Sequence, residues 1–291
     1  MAATGNEKTI VKGKTTDTAI LVVSFGTSCN ENRERTIGAI ENSIQKAFPE
    51  YDVRRAFTSR IILDKLKVRD GLEIDNVEQA LDRMAADGIK KLVVQPTHLL
   101  AGLEYTDLAN ILHKYEHKFE LAVLGKPLLS DTADYEAVIK AITDQTSSYD
   151  DGQTAICYLG HGTKADANHA YEILQQKLKT AGFANYYIGT VKAEPNLRDI
   201  ITAVKKNASY KKILLKPLMV VAGSHANYDM DGKGGFSWRT VLEEEGYCVE
   251  CCFEGLGQLA DIQDIYVMHI RKAVATANLV NCVRNCNFTA Q

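Results

Sequence analysis

Ala19-Ile20-Leu21-Val22-Val23-Ser24-Phe25-Gly26-Thr27 and Ala155-Ile156-Cys157-Tyr158-Leu159-Gly160-His161-Gly162-Thr163 are two versions of one motif, 136 residues apart in a chain of 291. Each begins with an apolar run of strand length and ends on glycine and threonine. A run without polar alternation suits a strand of a parallel sheet, whose two faces are both covered by helices. A second match supports the first. Lys90-Lys91-Leu92-Val93-Val94-Gln95-Pro96 pairs with Lys211-Lys212-Ile213-Leu214-Leu215-Lys216-Pro217 at an offset of 121, and Ala101-Gly102-Leu103-Glu104-Tyr105 continues that register onto Ala222-Gly223-Ser224-His225-Ala226. The chain reads as an internal duplication, two similar lobes of one βα design with a cleft between them.

Outward from these runs, short apolar stretches alternate with segments of helical period. Strands are expected at 19–25, 53–57, 91–96 and 121–124, then at 155–159, 186–191, 213–218 and 248–253. Helices are expected over 30–48, 61–68, 77–86 and 105–118, then over 167–180, 197–206, 238–244 and 260–277. The 248–253 run is read as a buried strand, in which free cysteine behaves as a small apolar residue. The fold class is α/β, each lobe a parallel sheet flanked by helices. The expected organisation is a flexible leader over 1–17, an N-terminal lobe over 18–150 and a C-terminal lobe over 151–291, with the break at Asp150-Asp151-Gly152.

Composition narrows the function classes. With 45% apolar and 24% charged residues the chain is neither disordered nor collagen-like. Lys and Arg number 34 against 37 Asp and Glu, a net charge of −3, so the basic excess expected of a nucleic-acid binder is missing. No apolar run approaches the roughly 18 residues that a membrane span needs. The leader lacks the apolar centre of a signal peptide. Seven cysteines, an odd number, suggest reduced thiols and a cytoplasmic location, although a leader replacing a cleaved export signal would read the same.

In open parallel sheets, ligands bind beyond the carboxyl ends of the strands. His161 follows one such strand directly, between two glycines. His225 follows another, and the 121-residue register makes Glu104 its counterpart in the first lobe. Two imidazoles and a carboxylate suit a divalent first-row metal such as Co²⁺, Ni²⁺, Fe²⁺ or Zn²⁺, and the same groups can accept protons. Singly, each is equally consistent with hydrogen bonding in a turn.

Taken together, Val22-Val23-Ser24-Phe25-Gly26-Thr27-Ser28, Arg55-Ala56-Phe57-Thr58-Ser59, Leu159-Gly160-His161-Gly162, the run from Pro217 to Ala226, Gly102-Leu103-Glu104-Tyr105 and Gly255-Leu256-Gly257 resemble the anaerobic sirohydrochlorin cobaltochelatases, single-polypeptide class II chelatases. The resemblance runs from about Thr18 to Ala277. It implies a two-lobed fold with a tetrapyrrole in the cleft, and insertion of Co²⁺ into sirohydrochlorin for cobalamin synthesis without an organic cofactor. It also implies that His161 and His225 bind the metal, with Glu104 as their partner carboxylate. Insertion displaces two pyrrole protons, and neutral imidazoles can hold and release an ion that a full set of thiolates would trap.

One departure stands out. The family commonly carries a glutamate directly after the valine that ends the second lobe's second strand, whereas here Lys192 follows Val191. Glu194 comes two positions later, and an extended chain would put it on the same face. Otherwise Lys192 pairs with a substrate carboxylate. The resemblance implies a substrate with eight carboxylates, for which Ser24, Thr27, Ser28, Thr163, Ser224 and Lys192 are candidate binding residues. The hydroxyls serve equally well as helix caps.

Other readings stay open. Fe²⁺ or Ni²⁺ would suit the same ligands, and a non-catalytic haem- or metal-binding protein on this scaffold is a rival; a two-lobed small-molecule binder fits the metal-ready residues less well. His98 is a candidate extra metal or haem ligand, or a packed loop histidine. His113 and His117 have metal-binding spacing but flank an apolar helix stripe, and His169 and His269 are read as structural. The cysteines at 248, 251, 252, 282 and 286 are not read as a metal cluster. The glycine-rich loop 229–235 is read as a cleft rim with Lys233 available to substrate, since it lacks P-loop spacing. Assembly of identical chains is also left open.

Overall fold

β1 (Thr18–Ser24) is buried along its whole apolar length, and so is its repeat β5 (Thr154–Gly160). The computed structural model describes residues 16–223, 226–232 and 236–288, with only the backbone described at 226, 227 and 278–288. In the first half, β1 is followed by α1 (Asn30–Arg33), a π-helical turn, α2 (Ala39–Ala47), β2 (Asp52–Phe57), α3 (Arg60–Asp70), α4 (Val77–Ala86), β3 (Lys91–Pro96), α5 (Leu103–Tyr115), β4 (Leu121–Leu124) and α6 (Thr132–Gln145). The second half runs from β5 through α7 (His169–Thr180), β6 (Tyr186–Thr190), α8 (Leu197–Val204), β7 (Lys212–Pro217), α9 (Trp238–Glu244) and β8 (Cys248–Cys251) to α10 (Ala260–Phe288).

The strands form two four-stranded parallel sheets of the same order, β2-β1-β3-β4 and β6-β5-β7-β8. The duplication extends to register. Thr18 faces Lys91 as Thr154 faces Lys212, Ile20 faces Val53 as Ile156 faces Tyr186, and Lys91 faces Leu121 as Lys212 faces Cys248.

Alternate residues of each central strand enter different cores, as the two-residue period of a strand requires. Ala19, Leu21 and Val23 pack with α4 and α5, and Ala155, Cys157 and Leu159 pack with α8 and α9. Ile20, Val22, Ile156 and Tyr158 all join one large core with residues of α2, α6, α7 and α10. Those four helices therefore form a shared layer between the sheets.

Two features of that layer depart from the sequence reading. α6 falls in a stretch for which no element was expected. It begins at a capping box in which Asp131 and Asp134 cap each other's amides, and it buries Tyr135, Val138, Ile139 and Ile142. The fully buried Val138 and Ile142 each contribute about 2 kcal/mol of apolar burial. α10, from the end of the chain, packs on α2, α6, β3 and β4 of the first half. There Tyr266 donates its hydroxyl to the Thr97 carbonyl at 3.0 Å, and the His269 ring bonds Asp134 Oδ1 at 2.9 Å and the Lys126 carbonyl at 3.1 Å.

The 248–253 expectation needs correction. The strand is β8, it ends at Cys251, and Cys248 is exposed because this is the sheet's edge. The described cysteines 29, 157, 248, 251 and 252 are free thiols, and Cys282 and Cys286 lie where no side chains are described. Among the described residues no helix is long and apolar enough to cross a membrane. The leader, apart from Thr16 and Asp17, lies outside the described residues.

Candidate active site

Both central strands end in the same left-handed glycine turn. Gly26 has φ 97° and Gly162 has φ 78°, a region costly for any residue with a Cβ. Space forbids a side chain as well: a Cβ on Gly26 would lie 2.6 Å from the Phe57 ring, and one on Gly162 would lie 2.8 Å from Thr190 Oγ1 and 2.9 Å from the Ala193 amide. Beyond the glycines, Thr27 Oγ1 accepts from the Cys29 amide and Thr163 Oγ1 from the Ala165 amide, both at 3.2 Å. These two hydroxyls close turns. Ser24 is buried and accepts from the Thr97 hydroxyl at 2.8 Å, so it is engaged inside the end of the sheet. Ser28 is half-buried.

His161 is exposed at the end of β5, and its backbone is held from three sides. Its carbonyl accepts from the Lys192 amide at 2.9 Å, and the next amide, Gly162, donates to the buried Tyr171 hydroxyl at 3.3 Å. Asn168 then ties the loop to its neighbour, accepting from the Thr163 amide at 3.0 Å and donating to the Glu194 carbonyl at 2.6 Å. His161 Nδ1 lies 3.0 Å from the Gly162 carbonyl oxygen. A carbonyl only accepts, so Nδ1 carries a proton, and in the neutral form of the ring the lone pair is then on Nε2, the tautomer suited to metal binding.

Lys192 and Glu194 are both exposed, but the chain from Val191 to Pro195 is a bend rather than extended, with Thr190 Oγ1 donating to the Ala193 carbonyl at 2.6 Å. The alternation that would set Glu194 on the face of residue 192 therefore does not apply. The main chain at both positions instead braces the His161 loop.

Glu104 occupies the first turn of α5, after the glycine that starts the helix. Half of its side chain is exposed, yet desolvation by its surroundings, helped by the Asp107 carboxylate one turn on, raises its pKa. Its Oε2 lies 3.5 Å from Nε2 of His98. The His98 side chain is buried, neither ring nitrogen has a hydrogen-bond partner among the described residues, and desolvation pushes its pKa down to about 4. His98 is thus a neutral imidazole behind Glu104. Its counterpart in the second lobe by register is Met219; the carbonyls of both accept an equivalent amide, from Leu128 and Leu256 respectively.

The loop after β7 is described as far as Gly223; Ser224 and His225 lie outside the described residues, as does Lys233. Asn32 of α1 donates to the Ala222 carbonyl, joining the loop after β1 to the loop after β7. Among the described residues no three His, Cys, Asp or Glu side chains gather closely enough to hold an ion. His113 pairs with Glu116 and His169 with Glu172 on exposed surfaces, and His269 is the core bridge already described. Asn32, Asn168 and Tyr171, which position the loops, were not found by sequence reading because their partners are main-chain groups.

Comparison with known proteins gives one family. The Cobalt chelatase (CbiK) family model matches residues 18–275. The sirohydrochlorin cobaltochelatase of Salmonella typhimurium is 34% identical over 259 residues, covering 89% of this chain and 97% of that protein. Sirohydrochlorin cobaltochelatase CbiKC of Nitratidesulfovibrio vulgaris is 29% identical over 262 residues, covering 89% and 92%. Among solved structures, SirB from Bacillus subtilis with Fe³⁺ is similar in fold, with a TM-score of 0.64 at 14% identity over 90% of this chain and 98% of that one.

Proposed function

The chain belongs to the cobalt chelatase (CbiK) family and inserts Co²⁺ into sirohydrochlorin, and on that premise we propose which of its residues carry the reaction. His161 holds the incoming ion through Nε2, Glu104 shares it from the first lobe, and His225 completes the set by its register with Glu104. The observation that carries this reading is the 3.0 Å contact between His161 Nδ1 and the Gly162 carbonyl, which puts a proton on Nδ1 and so makes Nε2 the nitrogen that donates to a metal when the ring is neutral. Insertion exchanges one Co²⁺ for two pyrrole protons. A carboxyl whose pKa is raised by desolvation accepts such a proton more readily than an ordinary one, so Glu104 serves both as ligand and as proton acceptor.

Lys192, exposed beside the His161 loop, meets a peripheral substrate carboxylate, and Ser28 and Thr163 sit at the strand ends with hydroxyl donors for others. Ser24 and Thr27 are less suited, both being buried and bonded. Fe²⁺ or Ni²⁺ would bind the same donors, so the cobalt preference rests on the family rather than on the ligand types. The free thiols among the described residues support a reducing, cytoplasmic setting.

The ligand assignment is tested by titrating the metal-free protein with Co²⁺ and following its absorption and electron paramagnetic resonance. The expected result is an imidazole-ligated spectrum that His161→Ala and His225→Ala each weaken by about tenfold or more in affinity. Unchanged affinity in both variants contradicts it.

A further inference from the structure

The duplication that pairs Glu104 with His225 in sequence also pairs His161 with Phe25. Their backbones are equivalent. Each follows a buried central strand and precedes a left-handed glycine, and each carbonyl accepts an amide from the loop after the neighbouring strand, Ser59 at 3.2 Å for Phe25 and Lys192 at 2.9 Å for His161. Where one lobe presents an imidazole, the other presents a phenyl ring with no lone pair.

That ring is 49% exposed, although the strand leading to it is buried. It has company. Ile61 in the first turn of α3, Leu103 beside Glu104, and Tyr228 and Phe236 after β7 are 81%, 66%, 76% and 94% exposed, and all follow carboxyl ends of strands. Repeated apolar exposure after the carboxyl ends of parallel strands falls where such sheets bind ligands and suits a surface that a partner covers. The segment after β1 that begins with Phe25 also reaches the loop after β7 through Asn32 and Ala222, so this segment touches the other lobe.

The occupant follows from chemistry. Sirohydrochlorin is a conjugated macrocycle whose carboxylates lie at its periphery, leaving apolar faces. Such a face needs an aromatic platform that does not compete for the metal. We infer that Phe25 stacks on the macrocycle and holds it for insertion, so that the metal-donor position of one lobe has become a substrate-binding position in the other. This inference rests on the chelatase reading.

The test is steady-state insertion of Co²⁺ into sirohydrochlorin under anaerobic conditions, with binding of the metal-free macrocycle measured by fluorescence. Phe25→Ala is expected to raise KM and Kd for sirohydrochlorin about tenfold, equivalent to about 1.4 kcal/mol, while leaving KM for Co²⁺ and the thermal midpoint unchanged. Phe25→Leu, which keeps bulk without the ring, is expected to lose most of the same affinity, and Phe25→Trp to retain it. Unchanged KM and Kd in Phe25→Ala, or wild-type affinity in Phe25→Leu, overturns the inference. The wild-type protein separates the two readings: if it forms no cobalt product, the chelatase reading fails, whereas normal wild-type turnover with an indifferent Phe25→Ala overturns only the role of Phe25.

Discussion

Nε2 of His98 lies 3.5 Å from Oε2 of Glu104, and neither nitrogen of that buried ring has a hydrogen-bond partner among the described residues. An imidazole so placed resists protonation. Its ordinary pKa of 6.5 falls to about 4 through desolvation. Between those values the unfolded chain binds a proton that the folded chain does not, so stability rises with pH across the window and is lost as pH falls from about 6.5 to about 4. The full gap is worth about 3 kcal/mol. His98→Leu is expected to flatten this part of the stability profile, measured by denaturant unfolding at a series of pH values. An unchanged slope would show that other groups cause it.

Glu104 titrates in the opposite sense to an ion-paired carboxylate. Desolvation and Asp107 raise its pKa, so it loses its proton at higher pH than an ordinary glutamate. The acid limb of kcat/KM against pH is accordingly expected to be shifted upward in the same direction, with activity falling as pH falls. Glu104→Gln is expected to lower kcat by about 100-fold or more while leaving the fold intact, since half of this side chain is exposed. Wild-type kcat in that variant would remove Glu104 from the reaction.

Gly162 and Gly88 make a controlled pair. Both have positive φ, but a Cβ on Gly162 meets Thr190 and Ala193 below 3 Å, whereas one on Gly88 meets nothing within 4 Å. Gly88→Ala should cost about 1 kcal/mol of stability from backbone strain alone. Gly162→Ala should cost about 3 kcal/mol and also depress turnover, because the displaced loop carries His161. Equal losses of stability would contradict the packing argument.

The return of α10 onto the first half depends on His269, whose ring bonds both Asp134 and the Lys126 carbonyl. His269→Ala leaves the buried Asp134 Oδ1 without this partner, while the Lys126 carbonyl still accepts from Gln95, and is expected to lower stability by about 2–4 kcal/mol. Co²⁺ affinity should be retained at temperatures where the variant is folded. A loss below 0.5 kcal/mol would mean that the bridge is not structural.

The sheets were legible because each central strand is a buried apolar run, and the duplication showed in two offsets that reappear as identical strand order and register. Glu104 and His161 were legible as polar residues placed where such sheets bind ligands. α6 carried a signal as well, Asp131 and Asp134 ahead of Tyr135, Val138, Ile139 and Ile142, but it lies between the last strand expected in the N-terminal lobe and the break at 150–152, a stretch to which no element was assigned. β8 was misread because an edge strand and a buried one can share composition, and only pairing on a single side tells them apart. The return of α10 is long-range packing, to which local periodicity is blind. Asn168 and Tyr171 act on main-chain groups and leave no spacing pattern to find.

The most direct measurement is anaerobic conversion of sirohydrochlorin and Co²⁺, followed by absorbance, with protein at catalytic levels and wild type beside His161→Ala. The account predicts many turnovers by the wild-type protein and none above background by the variant, with both showing the same thermal midpoint. Cobalt insertion by a folded His161→Ala at the wild-type rate would contradict it.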